Sequence, residues 1–327
     1  MNVLNTLLDF ENPWAPALAL ILFFDASALM IWRLDRMTHR GVEGTVLGTL
    51  IMPYCSGMGN LIFALLLAWQ AGPGQEVVIN SLVNNVTNLT LLLGLPALIW
   101  GLQVKQKRGK KRELQLQRIT RLSLLLTVFA GLFFTGGLWA LSSDGVLDRG
   151  DGLMLVGLFL FWQVFEIFDV LKKNVRENRP FEWILLLDIG LLLLGSYGLF
   201  CSIEWIVAWI EQLEGGWLSV DNLGWFTGFL MVLPNAGMAF YYAWRSRPDI
   251  VASSQLGDGH ICIPLCIGVF AIFHDSPVPD IFGISMAILI GAYAVHGLSM
   301  IFFGGIPRIV GGLLVASYGT FLWMGLL

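Results

Sequence analysis

Charge is scarce in this sequence. Only 13% of its 327 residues are Asp, Glu, Lys or Arg, against roughly 25% in a soluble domain, which excludes a water-soluble fold. Cysteine is scarce too. Cys55, Cys201, Cys262 and Cys266 all lie in apolar runs without zinc-type spacing to histidine, so neither a disulfide scaffold nor a zinc module is expected. They fit as small, reduced packing residues. No basic stretch precedes a short apolar segment at the start, and the opening MNVLNTLLDFENP is mildly acidic, so no cleavable signal peptide is expected. Also missing are a Gly-x-Ser-x-Gly elbow, a metal-spaced cluster of His, Asp and Glu, and a glycine loop beside a strand that could cradle phosphate. The common enzyme signatures are therefore absent. A net charge of −4 offers no basis for binding nucleic acid.

What the chain has in abundance is apolar sequence: 56% of residues are hydrophobic and the mean hydropathy is +0.74. A spanning helix needs about 20 mostly apolar residues. Candidate spans cover 14–34, 44–69, 76–102, 122–142, 152–171, 183–210, 223–244, 249–273, 281–303 and 307–327. The fold class is thus an all-α integral membrane protein with about ten transmembrane helices, in contact with the lipid bilayer. Trp14, Trp32, Trp69, Trp100, Trp183, Trp209 and Trp244 sit at span ends, as interfacial aromatic belts do. Of the 19 lysines and arginines, all but Arg149 fall in the connections after spans one, three, five, seven and nine. By the positive-inside bias those connections are cytoplasmic and both termini lie on the other side. A multi-pass protein of the plasma (inner) membrane is expected.

Polar residues interrupt the third and eighth spans. Asn80, Asn84 and Asn88 recur every fourth residue, so on a helix they line one face. Ser254, Asp258 and Cys262 repeat that spacing. Carboxamides at membrane depth are costly unless they meet partners, water or ions, and an intramembrane acid points to a functional site. The two stretches sit in similar settings. Spans two and three are joined by AGPGQ on one side, spans seven and eight by RSRPD on the other. Helix breakers recur at comparable depth: Pro53, Gly57 and Gly59 in span two, Pro234 and Gly237 in span seven, Pro96 and Pro264 in spans three and eight. This is the layout of a transporter built from inverted repeats. Residues 1–121 with 122–175 would form the first five-helix repeat, with its motif at 44–102, and 176–327 the second, with its motif at 223–273.

In these features the chain resembles the cation/calcium antiporter superfamily, whose best-known branch is the sodium/calcium exchangers. That family carries Gly-Thr-Ser-x-Pro-Glu on the second helix of each repeat and Gly-Asn-x-x-Gly-Ser-Asn-Ile-x-Asn on the third. Here the first repeat reads CSGMGN, then INSLVNNVTN; the second reads LMVLPN, then SSQLGDGHIC. Asn80, Asn84, Asn85 and Asn88 fall on the Asn, Ser, Asn and Asn of the third-helix motif. Ser254, Gly257, Asp258, Gly259 and Cys262 take the matching places in the second repeat.

The resemblance implies a secondary cation antiporter, without a cofactor, whose ion site is formed by Asn60, Asn84, Asn85, Asn88, Asn235, Ser254 and Asp258. Direct metal contacts are expected from Asp258, Asn84 and Asn85. Ser56, His260, Asp25 and Glu166 are candidate accessory or proton-relay groups. The expected partners are inorganic cations rather than another protein. Where the family has its two calcium-binding glutamates, this chain has Asn60 and Asn235. Hard divalent ions favour carboxylates, so sodium or another monovalent cation, or a proton, is expected ahead of calcium. The same loss also motivates a second reading, a transport-inactive structural or regulatory relative.

Overall fold

The computed structural model describes residues 12–39, 52–103, 111–174, 184–213 and 219–326. Ten helices follow in order among them: α1 (Ala15–His39), α2 (Met52–Gln70), α3 (Gly74–Trp100), α4 (Lys111–Leu141), α5 (Arg149–Asn174), α6 (Ile184–Ile210), α7 (Leu223–Trp244), α8 (Pro248–Phe273), α9 (Phe282–Phe303) and α10 (Arg308–Leu326). Nine are long and apolar enough to cross a bilayer, and the apolar part of α2, Gly57–Gln70, is shorter. The outward faces carry bare large hydrophobics, among them Phe161, Phe302, Ile309 and Trp69. Such surfaces suit lipid. The chain is an integral, multi-pass membrane protein.

Burial is uneven along the chain. In α3 and α8 the most apolar stretches are 78% and 83% buried, against 22–44% for α1, α4, α5, α6, α9 and α10. The two helices that carry the polar columns are therefore the most buried ones, and those side chains face protein. Each also changes pitch midway. In α3 the α-helix Gly74–Val86 passes through a π-helical turn, Thr87–Leu92, into Leu93–Trp100. In α8 the α-helix Pro248–Ile261 passes through Cys262–Ile267 into Gly268–Phe273. Proline lacks an N–H and cannot complete the regular ladder. Pro264 lies inside its π turn and Pro96 just beyond the other. The expected breaks are widened turns, a form frequent at functional sites.

The contacts repeat with a shift of five helices. α1 packs on α6 and α4 on α9. The packing of α2 against α8 is matched by that of α7 against α3. The last segment of α8 lies on α5 as the last segment of α3 lies on α10. Short strands follow the same rule: β1 (Leu102–Gln103) pairs antiparallel with β4 (Gly305–Ile306), and β2 (Val146–Leu147) with β3 (Ser276–Pro277). Gly195 meets Met30 and Ala26, while Gly198 meets Ala26 and Leu22, so the counterpart helices α1 and α6 run in opposite directions. The bundle is a pair of interlocked, inverted five-helix repeats.

Small residues set the closest crossings, as is usual where lipid provides no hydrophobic drive between helices. A Cβ added to Gly311 of α10 would lie 2.6 Å from the carbonyl oxygen of Gly94 in α3. One added to Gly152 of α5 would lie 2.7 Å from that of Gly268 in α8. Arg33 and Asp188 tie α1 to α6, with Nη1 and Oδ1 3.4 Å apart.

Candidate functional site

The middle of the bundle is built by α3 and α8, where each passes into its π turn. Asn84 and Asn88 stand one helical turn apart on α3, Asp258 and Cys262 one turn apart on α8, and all four are fully buried. Asn88 Nδ2 donates to Asp258 Oδ2 at 2.6 Å and to Asn84 Oδ1 at 2.7 Å. Cys262 Sγ lies 3.8 Å from each of those two oxygens. One amide nitrogen thus draws a carboxylate oxygen and a carboxamide oxygen together, with the thiol alongside. Gly57 of α2 closes the other side: a Cβ there would sit 3.3 Å from Asp258 Oδ1 and 3.0 Å from Ile261. Among the described residues no three His, Cys, Asp or Glu side chains form a metal cluster. The acid at 258 accepts from the Asn88 amide and lies against the Cys262 thiol.

The other expected positions divide. Asn80 leaves the column and donates to Thr227 Oγ1 of α7 at 3.0 Å. Asn85 donates to the carbonyl of Ser81 at 2.7 Å and points its oxygen toward α9. There a Cβ on Gly259 would lie 2.6 Å from the Tyr293 hydroxyl and 2.8 Å from Asn85 Oδ1. Asn60 of α2 and Asn235 of α7 are buried, with both amide atoms of each lacking a hydrogen-bond partner in the protein. Asn235 also borders a cavity of about 20 Å³ with Ser27, Gly59, Met231 and Pro234, room for about one water. Ser254 is buried beside Gln255 and donates to the carbonyl of Val251, one turn from Asp258.

The accessory candidates lie elsewhere. His260 is held by the carbonyl of Thr127 at 2.9 Å, edge-on to Phe134 and Trp162, on the α4 side of α8. Glu166 is buried on α5. Asp25 is on the exposed face of α1. The side chain of Ser56 lies outside the described residues.

Several participants carry no sequence signal. Tyr293 belongs to an apolar span, and Gly131 and Gly259 make room for it. Glu76, in the first turn of α3, is buried and accepts a hydrogen bond from Gly224 N at 2.6 Å. Its carboxylate caps the start of α7, where unpaired N–H groups favour negative charge. An acid in the first turn of an otherwise apolar span was the available clue. Unpartnered buried polar atoms concentrate in this region: Asn84 Nδ2, Asn85 Oδ1, Asn88 Oδ1, Tyr293 Oη and both ends of Asn60 and Asn235. Leaving such a group without water, ion or protein partner costs about 1–3 kcal/mol.

Comparison with known proteins follows the same line. Residues 12–168 match the family described as sodium/calcium exchanger protein. No curated protein matches the chain. Solved structures of the sodium-calcium exchanger NCX_Mj share its fold. The form soaked with 2.5 mM Na+ and 10 mM Sr2+ superposes with a TM-score of 0.66 at 20% identity, over 94% of this chain and 96% of that one. The form soaked with 2.5 mM Na+ and 0.1 mM Ca2+ gives 0.65 at 20% identity, over 95% and 97%. The form with zero Na+ and Ca2+ gives 0.63 at 21%, over 93% and 95%.

Proposed function

From the match of residues 12–168 to the sodium/calcium exchanger family and the shared fold, we propose that the chain is a secondary active antiporter of the cation/calcium antiporter superfamily, exchanging cations by alternating access. The observation that carries this reading is Asp258: a fully buried acid at the centre of the bundle, bonded by Asn88 and flanked by Asn84. Holding a charge at bilayer depth costs about 2.5–3.5 kcal/mol on insertion scales, and a bound cation or proton offsets it. Asn60 and Asn235, at the places of the family's glutamates, supply neutral oxygens to the same region. One acid among carboxamides suits a monovalent cation, or a proton alternating with one, better than calcium. The cations are cargo, and no chemistry on a substrate or resident cofactor is involved.

In this reading residues 1–175 and 176–327 are the two repeats. Helices α2, α3, α7 and α8 hold the ion, while α1 and α6 slide across them to open one side and then the other. Asn85 and Ser254 border the ion position, and Asp25 lines the outer face of the sliding pair. The loss of the glutamates supports one other reading, a transport-inactive subunit of the same fold.

Flux into proteoliposomes separates the two. Sodium, potassium or proton gradients are expected to drive counter-flux in the native chain, and Asp258→Asn to cut it at least about tenfold, the loss of about 1.4 kcal/mol of cation binding. If no such gradient drives flux, the transport reading falls and the inactive subunit stands.

A further inference from the structure

We propose that Cys262 gives the central position a second class of ligand, a thiophilic divalent cation of the Cd2+ or Zn2+ type, bound by the Cys262 thiolate, the Asp258 carboxylate and the Asn84 carboxamide oxygen. The inference rests on the reading of Asp258 and Asn84 as the cation position. It adds a chemistry that hard cations do not use.

The geometry is specific. Cys262 Sγ is 3.8 Å from Asp258 Oδ2 and 3.8 Å from Asn84 Oδ1. In a tetrahedral complex with zinc–sulfur and zinc–oxygen bonds of about 2.3 and 2.1 Å, neighbouring donors lie roughly 3.6 Å apart; a larger soft ion needs slightly more. The thiol is thus spaced from each oxygen as two donors on one metal are, and Asn88 bonds both oxygens through its amide nitrogen. Two buried atoms without a protein partner, Asn84 Nδ2 and Asn88 Oδ1, belong to the same cluster. The Asn88 oxygen is the one of these two that can accept a further donor or a cation.

The donor chemistry sets the ligand class. Sodium, potassium and calcium are hard ions that take oxygen, whereas thiolate selects zinc-like and softer metals. The proposed set holds two anionic donors, the Cys262 thiolate and the Asp258 carboxylate, fewer than the four ligands of a closed structural zinc site. The ion is therefore exchangeable, a guest or a competitor of the cargo and not a fixture. Binding converts the Cys262 thiol to a thiolate, and that proton leaves to solvent, one for each metal bound. Cys201 on α6 and Cys266, one turn beyond Cys262 and beside its thiol, are the other described cysteines, and the proposed ligand set uses neither.

The test uses the full chain in detergent, with Cd2+ as the probe and the ultraviolet sulfur-to-cadmium charge-transfer band as the readout. The native chain is expected to bind Cd2+ at this position with release of one proton. Cys262→Ser should abolish the band and weaken Cd2+ binding by about 100-fold, the upper end of what losing even an outer partner of a metal ligand costs. Asp258→Asn should weaken binding and retain a thiolate band at higher Cd2+, and Cys201→Ser should change nothing. The inference is overturned if the native chain shows no band, or if the band survives Cys262→Ser. None of these readings requires transport. A band that vanishes with Cys262 in a protein without flux would sink the antiporter reading alone; flux without a band would sink only the thiol site.

Discussion

Two glycines lie close to Asp258, one in space and one in sequence. Gly57 leaves room beside its carboxylate, and Gly259, the next residue along α8, is tightly constrained. A methyl at 259 would press on the Tyr293 hydroxyl and Asn85 Oδ1 at 2.6 and 2.8 Å. Gly259→Ala should therefore destabilise the protein by about 1–3 kcal/mol, as overpacking does. Adding Tyr293→Phe should recover part of that loss. Thermal unfolding in detergent measures both, and an unchanged midpoint for Gly259→Ala would contradict the packing described. Asn60 and Asn235 lead to a different expectation. Restoring carboxylates with Asn60→Glu/Asn235→Glu should raise calcium affinity at least about tenfold, or 1.4 kcal/mol. Calorimetry with calcium reads this directly, and no gain would mean that these positions are not those of the family's glutamates. The carboxamide column at 80, 84 and 88 was legible because fourfold spacing fixes one helical face. Its division was not. Whether Asn80 bonds to Thr227 or Asn88 to Asp258 depends on which helix lies opposite, and local sequence does not encode that.

Among the elements, α1 and α6 are joined most closely. Gly195 and Gly198 let the backbones approach, and Arg33 bonds Asp188 while stacking 3.9 Å over the Trp32 ring. Asp188 is almost wholly buried. Removing one partner leaves the other charge unpaired, so Asp188→Asn should cost about 3 kcal/mol, whereas Arg33→Met/Asp188→Leu should return to within about 1 kcal/mol of the native protein. Chemical unfolding of the three proteins tests the pattern; equal losses in the single and double variants would show that the pair is not what joins these helices. Helix positions were readable from the sequence because a bilayer demands continuous apolar runs. The crossings were not. Gly94 and Gly152 are two of 37 glycines, and nothing in their neighbours marks them as the points where backbones touch. The π turns were equally hidden: proline announced a disturbance at 96 and 264, but whether the helix stops, kinks or widens is settled by the carbonyls and neighbours around it.

At the scale of the whole molecule, the one-sided distribution of lysine and arginine makes a definite claim about orientation. Reporter fusions at each end should both be active on the non-cytoplasmic side, and a fusion within the basic connection after α3 should be active in the cytoplasm; the reverse pattern would invert every statement about inside and outside. The inverted repeat was legible from paired breakers and paired polar spans, because each repeat must rebuild the same half-site. Its asymmetry has a further consequence. Asn84 and Asp258 occupy matching places in the two repeats, so the scaffold is balanced in shape and lopsided in charge. An unloaded carrier with two neutral half-sites would ignore the membrane voltage. In this one an ionised, unloaded Asp258 would carry a charge, and 100 mV is worth up to about 2.3 kcal/mol for each elementary charge moved through the field. By as much as that charge shifts through the field between the two access states, voltage would bias which way the empty protein rests before any ion arrives.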